Sequence, residues 1–322
     1  MTTEVIVWGY GKLGRAAAEV CLDSPGCRLA AVVTGRPDEA DGLPPGVHVA
    51  RTLAEVAASR PALVMHCGHA LGDELSDVLE ACAGLGLDVV SSSGLFDPAT
   101  QLADRGARLQ AAAEAGEARI VTSGVHPGFV LDVLPSTVLD MAPGWRDVIV
   151  VKPSDARSWP LANRHMQGIG ESGELVESIV PYPLAASAHL VAAAVGCVIE
   201  SLEETRIADY SDRDVVLADE VIPAGMATGF EQRCTARLEG DRTVTLVWHP
   251  TVDIAADADL SLRLDIHGDS WLRLRLDGAF REDPYLATAQ RMLHVGVASR
   301  RLPAGLHRAV DVGLSWPSEA RD

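Results

Sequence analysis

A glycine-rich loop close to the amino terminus limits the possible folds more than any other feature of the sequence. The loop Gly9-Tyr-Gly11-Lys-Leu-Gly14 directly follows the apolar segment Glu4-Val-Ile-Val-Trp8 and begins a helical pattern. In a βαβ unit, the first glycine permits a tight turn, the second lets a pyrophosphate approach the backbone, and the third lets the helix pack on the sheet. The amino end of the helix adds amide donors and a positive dipole, whereas a purely structural turn would need neither. The sequence therefore predicts a dinucleotide site formed by Gly9, Tyr10, Gly11, Lys12, Leu13 and Gly14.

Short apolar runs alternate with helical patterns over the first 125 residues. The runs include Leu29-Ala-Ala-Val-Val33, Ala62-Leu-Val-Met-His-Cys67 and Arg119-Ile-Val-Thr122. Such alternation is typical of a parallel sheet that is covered by helices on both faces. We therefore predict an α/β fold whose first domain, residues 1–125, is a Rossmann-type, doubly wound parallel sheet.

The pattern changes after Gly124, where period-two alternation becomes frequent, as in Leu262-Arg-Leu-Asp-Ile266. Alternation of this kind indicates strands with one face exposed to water. The sequence predicts a second, α+β domain over residues 126–285 that is built on a mainly antiparallel sheet and binds the substrate. Residues 286–322 are predicted to form a C-terminal helix and tail that return toward the first domain.

The charge balance and the cysteines limit the classes of partner. With 27 basic and 45 acidic residues, the net charge of −18 repels the phosphates of nucleic acids and anionic lipid surfaces. The six cysteines contain no CxxC pair, which is typical of buried, reduced thiols in a cytosolic protein. The first strand begins directly after Met-Thr-Thr, and the longest apolar run, Leu184 to Ile199, is short for a membrane span. We expect a cytoplasmic protein whose partner is a small molecule, with no binding to nucleic acid or membrane.

The end of the second predicted strand distinguishes between the two nicotinamide cofactors. An NAD site usually has Asp or Glu there, to bind the ribose 2′-hydroxyl, but this chain has Val33-Thr-Gly-Arg36. Thr34 can donate a hydrogen bond to a 2′-phosphate and Arg36 can pair with it, so NADPH is predicted and NADH is the less favoured cofactor. The alternative is that Arg36 only lies on a solvated turn. His66 and Ser91, at the ends of two further strands, are predicted to line the same site.

The segment Gly124-Val-His-Pro-Gly-Phe-Val-Leu-Asp-Val-Leu-Pro135 resembles a motif of the 2,4-diaminopentanoate dehydrogenase family, GVNPGF followed by Asp and Leu-Pro. That family includes native amine dehydrogenases and is related in its first domain to dihydrodipicolinate reductases. The resemblance covers most of the chain, including Asp155-Ala-Arg-Ser-Trp-Pro-Leu161, Leu184-Ala-Ala-Ser-Ala188 and the closing segment from Ala289 to Pro303. It implies hydride transfer between a nicotinamide cofactor and a carbon that bears an amine, with ammonia as co-substrate in the reductive direction. It also implies a homodimer, for which the antiparallel sheet offers a surface.

Several departures from the family fall at positions that bind the amino group. Where the family has Ser-Thr-Cys-Glu-Glu, this chain has Ser91-Ser-Ser-Gly-Leu95, so it lacks the glutamate that is thought to serve the amine chemistry. The family's Asn before Pro-Gly-Phe is His126, its Gly-His-Val-Gly is Val180-Pro-Tyr-Pro183, and a helical Glu is Ala186. The resemblance therefore carries the fold and the cofactor to this chain, but not the substrate.

Hydride delivery to C=O or C=N leaves negative charge on the heteroatom, so a proton donor is needed beside it. His126, on the loop after the last strand of the first domain, is the first candidate because the pKa of histidine lies near neutral pH. The alternative is that His126 packs against Pro127 and Phe129 and only shapes the nicotinamide pocket. Tyr182 and His165 are the next candidates, since by resemblance both face the cleft from loop-rich segments.

The resemblance also points to residues that could bind or shape the substrate, namely Arg164, Asp155 and Phe129. Arg164 can hold a substrate carboxylate, although a surface salt bridge explains it equally well. Asp155 can pair with Arg157 in the wall of the cleft.

Metal and Schiff-base chemistry find little support in the sequence. The pair in His66-Cys-Gly-His69 lacks a third ligand nearby, so no metal site is predicted. Neither of the two lysines, Lys12 and Lys152, has sequence neighbours that suggest a Schiff base.

Three functions agree with these observations. The first is an NAD(P)H-dependent oxidoreductase that acts at a C=N or C–NH2 centre, as amine dehydrogenases do. The second is an NADPH-dependent reductase of ketones or preformed imines that uses no free ammonia, which the missing glutamates favour. The third is a non-catalytic NADP(H)-binding sensor.

Overall fold

The computed structural model describes residues 2–56, 62–68, 70, 72–94, 97, 105–179, 184–278 and 283–312. The chain divides into two compact units, one formed by Met1–Val130 with Tyr285–Asp322 and the other by Leu131–Pro284. In chain order the strands and helices are β1 (Thr3–Trp8), α1 (Lys12–Asp23), β2 (Cys27–Val33), β3 (His48–Ala50), β4 (Ala62–His66), α2 (Gly72–Gly84), β5 (Asp88–Ser91), α3 (Gly106–Ala115), β6 (Arg119–Thr122), α4 (Val133–Leu139), β7 (Trp145–Asp155), α5 (Leu161–Met166), α6 (Gly173–Ser178), α7 (Leu184–Ala194), β8 (Ile199–Tyr210), β9 (Val215–Val216), β10 (Val221–Ile222), β11 (Ala227–Leu238), β12 (Arg242–Thr251), β13 (Leu262–Gly268), β14 (Trp271–Leu276), α8 (Tyr285–Ser299) and β15 (Gly305–His307).

The first unit is built on a seven-stranded sheet with the order β15-β6-β5-β4-β1-β2-β3, in which all neighbours are parallel. Alternate residues of β1 enter two separate cores, because successive side chains of a strand point to opposite faces. Val7 packs with Ala17 of α1 and Met292 of α8, whereas Ile6 packs with Leu79 of α2. Helices thus cover both faces of the sheet, and the prediction of a doubly wound parallel sheet is confirmed.

The second unit is built on a six-stranded sheet with the order β14-β13-β7-β12-β11-β8. Only the pair β7–β12 is parallel, and the other neighbours in this sheet are antiparallel. One face of the sheet is covered, since α7 packs against β8, β11 and β12, and α4 packs against β7. The alternation in β13 follows this arrangement, with Leu262 and Leu264 buried and Arg263 exposed. The mainly antiparallel second sheet that the sequence predicts is therefore confirmed.

Three further features of the described chain bear on function. No helix within it combines the length and the apolar character that crossing a membrane requires. Its His, Cys, Asp and Glu side chains form no group of three that could hold a metal ion. The six cysteines are all free thiols.

Candidate functional site

The glycine-rich loop makes a turn that depends on its glycines. Gly9 has a φ of +97°, and its N–H donates to the Val33 carbonyl at 2.9 Å. A Cβ atom on Gly14 would lie 1.8 Å from the Gly9 carbonyl oxygen, so α1 packs directly on the turn, and Leu13 packs into the core beside it. Around Gly11, by contrast, no described atom lies within 4 Å of a Cβ position. Gly9 and Gly14 thus pack closely against protein backbone, whereas Gly11 faces open space. A pyrophosphate requires this arrangement.

The amino end of α1 is accessible to an anion. Gly11 is the N-cap residue, and within the described chain no side chain caps the helix. Lys12 is exposed, with its Nζ atom 5.8 Å from the centre of the Tyr285 ring, and the Arg15 guanidinium lies 4.7 Å from the centre of the Tyr10 ring. Uncapped amide groups and two nearby cations favour a phosphate at this position.

Three arginines converge on the turn that follows β2. The N–H of Arg36 donates to Thr34 Oγ1 at 3.2 Å, and its guanidinium, 70% exposed, pairs with Glu39 at 2.8 Å. Arg51 donates to a carbonyl oxygen of the same turn at 3.2 Å, and Arg15 donates to the Glu39 carbonyl at 2.7 Å. An exposed ion pair contributes only about 0–1 kcal/mol, so a phosphate can replace Glu39 as the partner of Arg36.

The register of the parallel strands aligns Trp8, His66, Ser91 and Thr122 in one row at the carboxyl edge of the first sheet. His66 is the last residue of β4, and its Nδ1 atom lies 3.0 Å from Ser91 Oγ, with both side chains buried. The Trp8 and His66 rings meet edge to face, with their centroids 5.7 Å apart. A Cβ atom on Gly68 would lie 2.7 Å from His66 Nε2, so the imidazole fills the space beside this backbone. His66 and Ser91 therefore hold the strand ends and the following loop in place.

The loop after β6 carries His126 at the same edge of the sheet. Gly128 has a φ of +114°, and a Cβ atom there would lie 2.4 Å from the Gly124 nitrogen. Arg291 of α8 donates to the Gly128 carbonyl at 3.3 Å, and its guanidinium lies 5.1 Å from the centre of the Phe129 ring. His126 is half-buried, and its Nε2 atom is shielded from solvent. The loop is thus fixed by its own glycines and by α8, which gives His126 a defined position.

Asp155 forms the ion pair with Arg157 that its sequence position suggests. The Nε and Nη2 atoms of Arg157 lie 2.9 Å and 2.5 Å from the carboxylate, and the Arg157 N–H donates to it at 2.9 Å. Burial by itself raises the pKa of Asp155, but the hydrogen bonds from Arg157 outweigh burial and hold the pKa below its ordinary value. Tyr182 lies outside the described residues.

A cluster of ion pairs in the second unit contains Arg164 and His165. Arg164 is fully buried, with Nη2 2.6 Å from Asp219 and 3.4 Å from Glu220. The two ring nitrogens of His165 lie 3.2 Å from Glu171 and 2.6 Å from Glu220. The salt bridge that the sequence suggests for Arg164 is present, but it is buried rather than on the surface. Its Nη2 atom is therefore paired with protein carboxylates, whereas Nε is buried without a partner among the described residues. A role for Arg164 in holding a substrate carboxylate stays a prediction.

The predicted residues thus fall into two groups. The carboxyl edge of the first sheet and its loops carry Gly9, Tyr10, Gly11, Lys12, Leu13, Gly14, Thr34, Arg36, His66, Ser91, His126 and Phe129. Asp155, Arg164 and His165 lie in the second unit. Arg15 and Arg51 join the first group, although sequence patterns do not identify them.

No protein-family model matches this chain, and no curated protein sequence matches it. Solved structures do resemble it. An amine dehydrogenase from Mycobacterium smegmatis is 15% identical with a TM-score of 0.84, over 99% of this chain and 98% of that chain. A biliverdin reductase from Synechocystis in complex with biliverdin and NADP+ is 12% identical with a TM-score of 0.54, over 85% and 79% of the two chains.

A dipicolinate-bound dihydrodipicolinate reductase from Paenisporosarcina is 12% identical with a TM-score of 0.54, over 96% of this chain and 98% of that chain. The expected similarity to amine dehydrogenases and dihydrodipicolinate reductases is therefore confirmed at the level of the fold. Membership of the 2,4-diaminopentanoate dehydrogenase family stays a prediction.

Proposed function

We propose that this chain is an oxidoreductase that binds NADPH in its first unit and transfers hydride to or from a C=N or C–NH2 centre of a small substrate. The observation that carries the proposal is the glycine-rich loop, where Gly9 and Gly14 pack against backbone while Gly11 leaves open space beside the uncapped end of α1. This combination fits a pyrophosphate, whose oxygens accept hydrogen bonds from helix amides. The substrate class is supported by the similarity in fold to an amine dehydrogenase over nearly the whole of both chains.

Other residues around the loop also fit a dinucleotide. Lys12 and Arg15 bring positive charge to the first turn of α1, which directly follows the open glycine Gly11. Thr122 Oγ1 is buried at the end of β6 without a hydrogen-bond partner among the described residues, and buried hydroxyl groups are rarely left so. When bound, the nicotinamide ring supplies the hydride donor or acceptor. The part of the chain is to bind the phosphates, exclude water and deliver a proton.

His126 is the proton donor in this proposal. Histidine holds a proton near neutral pH and can release it to a nitrogen or oxygen atom that gains negative charge. The contacts of Arg291 with Gly128 and Phe129 fix the loop, so the imidazole needs little reorganisation during the reaction. His165 is the less favoured choice, because both of its ring nitrogens already lie within hydrogen-bonding distance of carboxylates.

NADPH consumption over a panel of small ketones, with and without ammonium, tests the function. We expect turnover that requires ammonium, because the proposed reaction forms a C–NH2 bond. His126→Ala should lower kcat/KM about a hundredfold, as loss of a general acid does, and leave the Kd of NADPH unchanged. His48→Ala, which removes an exposed histidine of the same unit, is the control and should leave both quantities unchanged. Equal kcat/KM for the His126 variant and the wild type would remove His126 from the mechanism.

A reductase that uses no free ammonia is the second candidate function. Gly94 and Leu95 stand where the resembled family has its two glutamates, the first of which is thought to serve the amine chemistry, and their loss favours this candidate. Turnover of ketones without ammonium would support it against the first proposal. Tight NADPH binding without turnover of any member of the panel would instead support a sensor.

The cofactor preference depends on Arg36. Arg36→Ala should weaken NADPH binding by roughly tenfold to a hundredfold, because a charge-assisted hydrogen bond contributes about 1.5–3 kcal/mol, and should leave NADH binding nearly unchanged. Isothermal titration calorimetry with both nucleotides measures the difference. Arg28→Ala is the matched control, since Arg28 lies near the amino end of β2, the strand that precedes Arg36, and pairs with Glu4. Equal losses for NADPH and NADH would contradict the assignment.

A further inference from the structure

A buried lysine in the second unit has no part in the function proposed above. Lys152 lies on β7 with only 8% of its surface exposed, although lysine is almost never buried without a partner. Its Nζ atom donates to Ser154 Oγ at 2.8 Å and lies 5.9 Å from the centre of the Trp248 ring. Burial lowers the pKa of Lys152 to about 8, from an ordinary value of 10.5. An ammonium group in this position needs a compensating partner.

Lys152 and Ser154 have more hydrogen-bond donors than the described residues around them accept. Ser154 Oγ accepts from Lys152 Nζ and also from Trp248 Nε1 at 3.2 Å. These two bonds occupy both of its lone pairs, so its own hydrogen must be donated to another group. Lys152 has two further N–H bonds. Among the described residues no acceptor receives these three hydrogens, and buried donors are rarely left unpaired.

The carboxylates of the described residues do not supply this acceptor. Asp155 is the nearest in sequence, but successive side chains of a strand point to opposite faces, and it is held by Arg157. Across the sheet, the register aligns Lys152 with Trp248, Gln232 and Arg206. Arg206 is a second buried cation, and the oxygen atoms that contact it in the described chain belong to glutamine residues. Glu204, on the same face, is partly buried and accepts a hydrogen bond from Gln232 Nε2 at 2.7 Å. Among the described residues of these aligned strands, two buried cations thus share the face with one partly buried carboxylate.

Buried aromatic rings pack beside Lys152. The Trp159 ring stacks on the Trp248 ring with centroids 5.9 Å apart and an interplanar angle of 30°. The Phe230 ring meets Trp248 edge to face at 5.3 Å. A cation and a hydroxyl next to aromatic rings match a ligand with an anionic end and a hydrocarbon body.

We propose that Lys152 Nζ and Ser154 Oγ bind the carboxylate of a small ligand whose carbon skeleton packs against Trp248. A carboxylate has two oxygens and about four lone-pair sites, enough for the three donors. Lys152 thereby takes the role that the sequence suggests for Arg164, whose Nη2 atom is paired with Asp219 and Glu220. The binding site itself does not rest on the proposed function. Only the identification of its ligand as the substrate of the oxidoreductase does.

Calorimetry on the full chain without NADPH tests the site directly. The probes are straight-chain carboxylates from propanoate to octanoate, and 3-phenylpropanoate, each compared with the corresponding amide. We expect at least one carboxylate to bind at least about tenfold more tightly than its amide, since only the carboxylate pairs with the ammonium group. Lys152→Met should abolish this preference, and Ser154→Ala should weaken carboxylate binding several-fold. Arg233→Met removes an exposed charge from the same sheet and should change nothing.

The melting temperature separates a binding role from a structural one. Methionine keeps most of the hydrocarbon stem of lysine and removes a buried charge, so Lys152→Met should melt at or above the temperature of the wild type. A lower melting temperature with carboxylate binding retained would overturn the proposal, and so would equal binding of carboxylates and amides across the whole series. Carboxylate binding without NADPH turnover would refute only the proposed function. Turnover without carboxylate binding would refute only this site.

Discussion

Gly14→Ala is expected to destabilise the first unit by more than about 3 kcal/mol and to abolish measurable NADPH binding. The added methyl group would lie 1.8 Å from the Gly9 carbonyl oxygen, which is backbone and cannot rotate away. Helix α1 would have to move off the turn, and the amides at its amino end would lose their position. Urea denaturation gives the free energy of unfolding, and calorimetry gives the affinity for NADPH.

Two further glycines make this prediction specific to the cofactor. Gly11→Ala adds its methyl group where no described atom lies within 4 Å, so the stability of the protein should change by less than about 0.5 kcal/mol. Because a pyrophosphate occupies that space in our proposal, the affinity for NADPH should nevertheless fall. Gly84→Ala, at the end of α2 and also in open space, should lower neither the affinity for NADPH nor the free energy of unfolding. A Gly11→Ala protein with the affinity of the wild type would contradict the position of the pyrophosphate.

Arg164→Met should have the second large effect, a loss of about 3 kcal/mol of folding free energy. Removing one partner of a buried ion pair leaves the other charge without compensation, which costs about 3–5 kcal/mol. The lower end of that range applies, because the Asp219 side chain is 47% exposed and can be solvated, whereas Glu220 is only 15% exposed. Urea denaturation measures the loss.

The matched control for Arg164 is an exposed pair in the same unit. Arg213 contacts Asp253 at 2.5 Å, yet its side chain is 67% exposed, so Arg213→Met should cost less than about 1 kcal/mol. If Arg164 were instead held ready for a substrate carboxylate, its variant would fold as stably as the Arg213 variant and lose only ligand affinity. That result would support a role for Arg164 in binding a substrate carboxylate.

The features that the sequence predicts best are those that depend on local pattern. The strand–glycine loop–helix at the amino terminus and the alternation of apolar runs fix the doubly wound sheet, and β1, β2 and β4 agree with their predicted segments to within two residues. Strand β8 is the clearest omission. Its sequence is rich in glutamate, and as the outer strand of the sheet it exposes half of its residues and buries only two, so apolar periodicity does not reveal it.

The parts of the site that the sequence does not reveal depend on contacts between distant residues. The His66–Ser91 contact joins positions 25 residues apart through the register of β4 and β5. Arg15 and Arg51 reach the turn after β2 from different elements, and only the folded chain brings them to Arg36. No local pattern encodes such convergence.

Burial of charged residues is equally hard to predict from sequence. Arg164 occurs in the polar segment Asn163-Arg-His165, and Lys152 directly follows the apolar run Val148-Ile-Val-Val151. Neither pattern distinguishes a buried charge from an exposed one. Arg164 is buried because Asp219 and Glu220, more than fifty residues later, close over it. Lys152 is buried because β7 is a central strand whose side chains at 148, 150 and 152 face the same covered side of the sheet.

The central claim is that the glycine-rich loop binds the pyrophosphate of a nicotinamide nucleotide. Isothermal titration calorimetry, in which the purified protein is titrated with NADPH, tests it most directly. The open space at Gly11, the uncapped end of α1 and the arginines after β2 together predict one nucleotide per chain with a Kd in the micromolar range or below. NADH should bind more weakly, because it lacks the phosphate that Arg36 and Thr34 are proposed to bind. Absence of binding by either nucleotide at millimolar concentration would contradict the account of the loop, and the proposed hydride chemistry would fall with it.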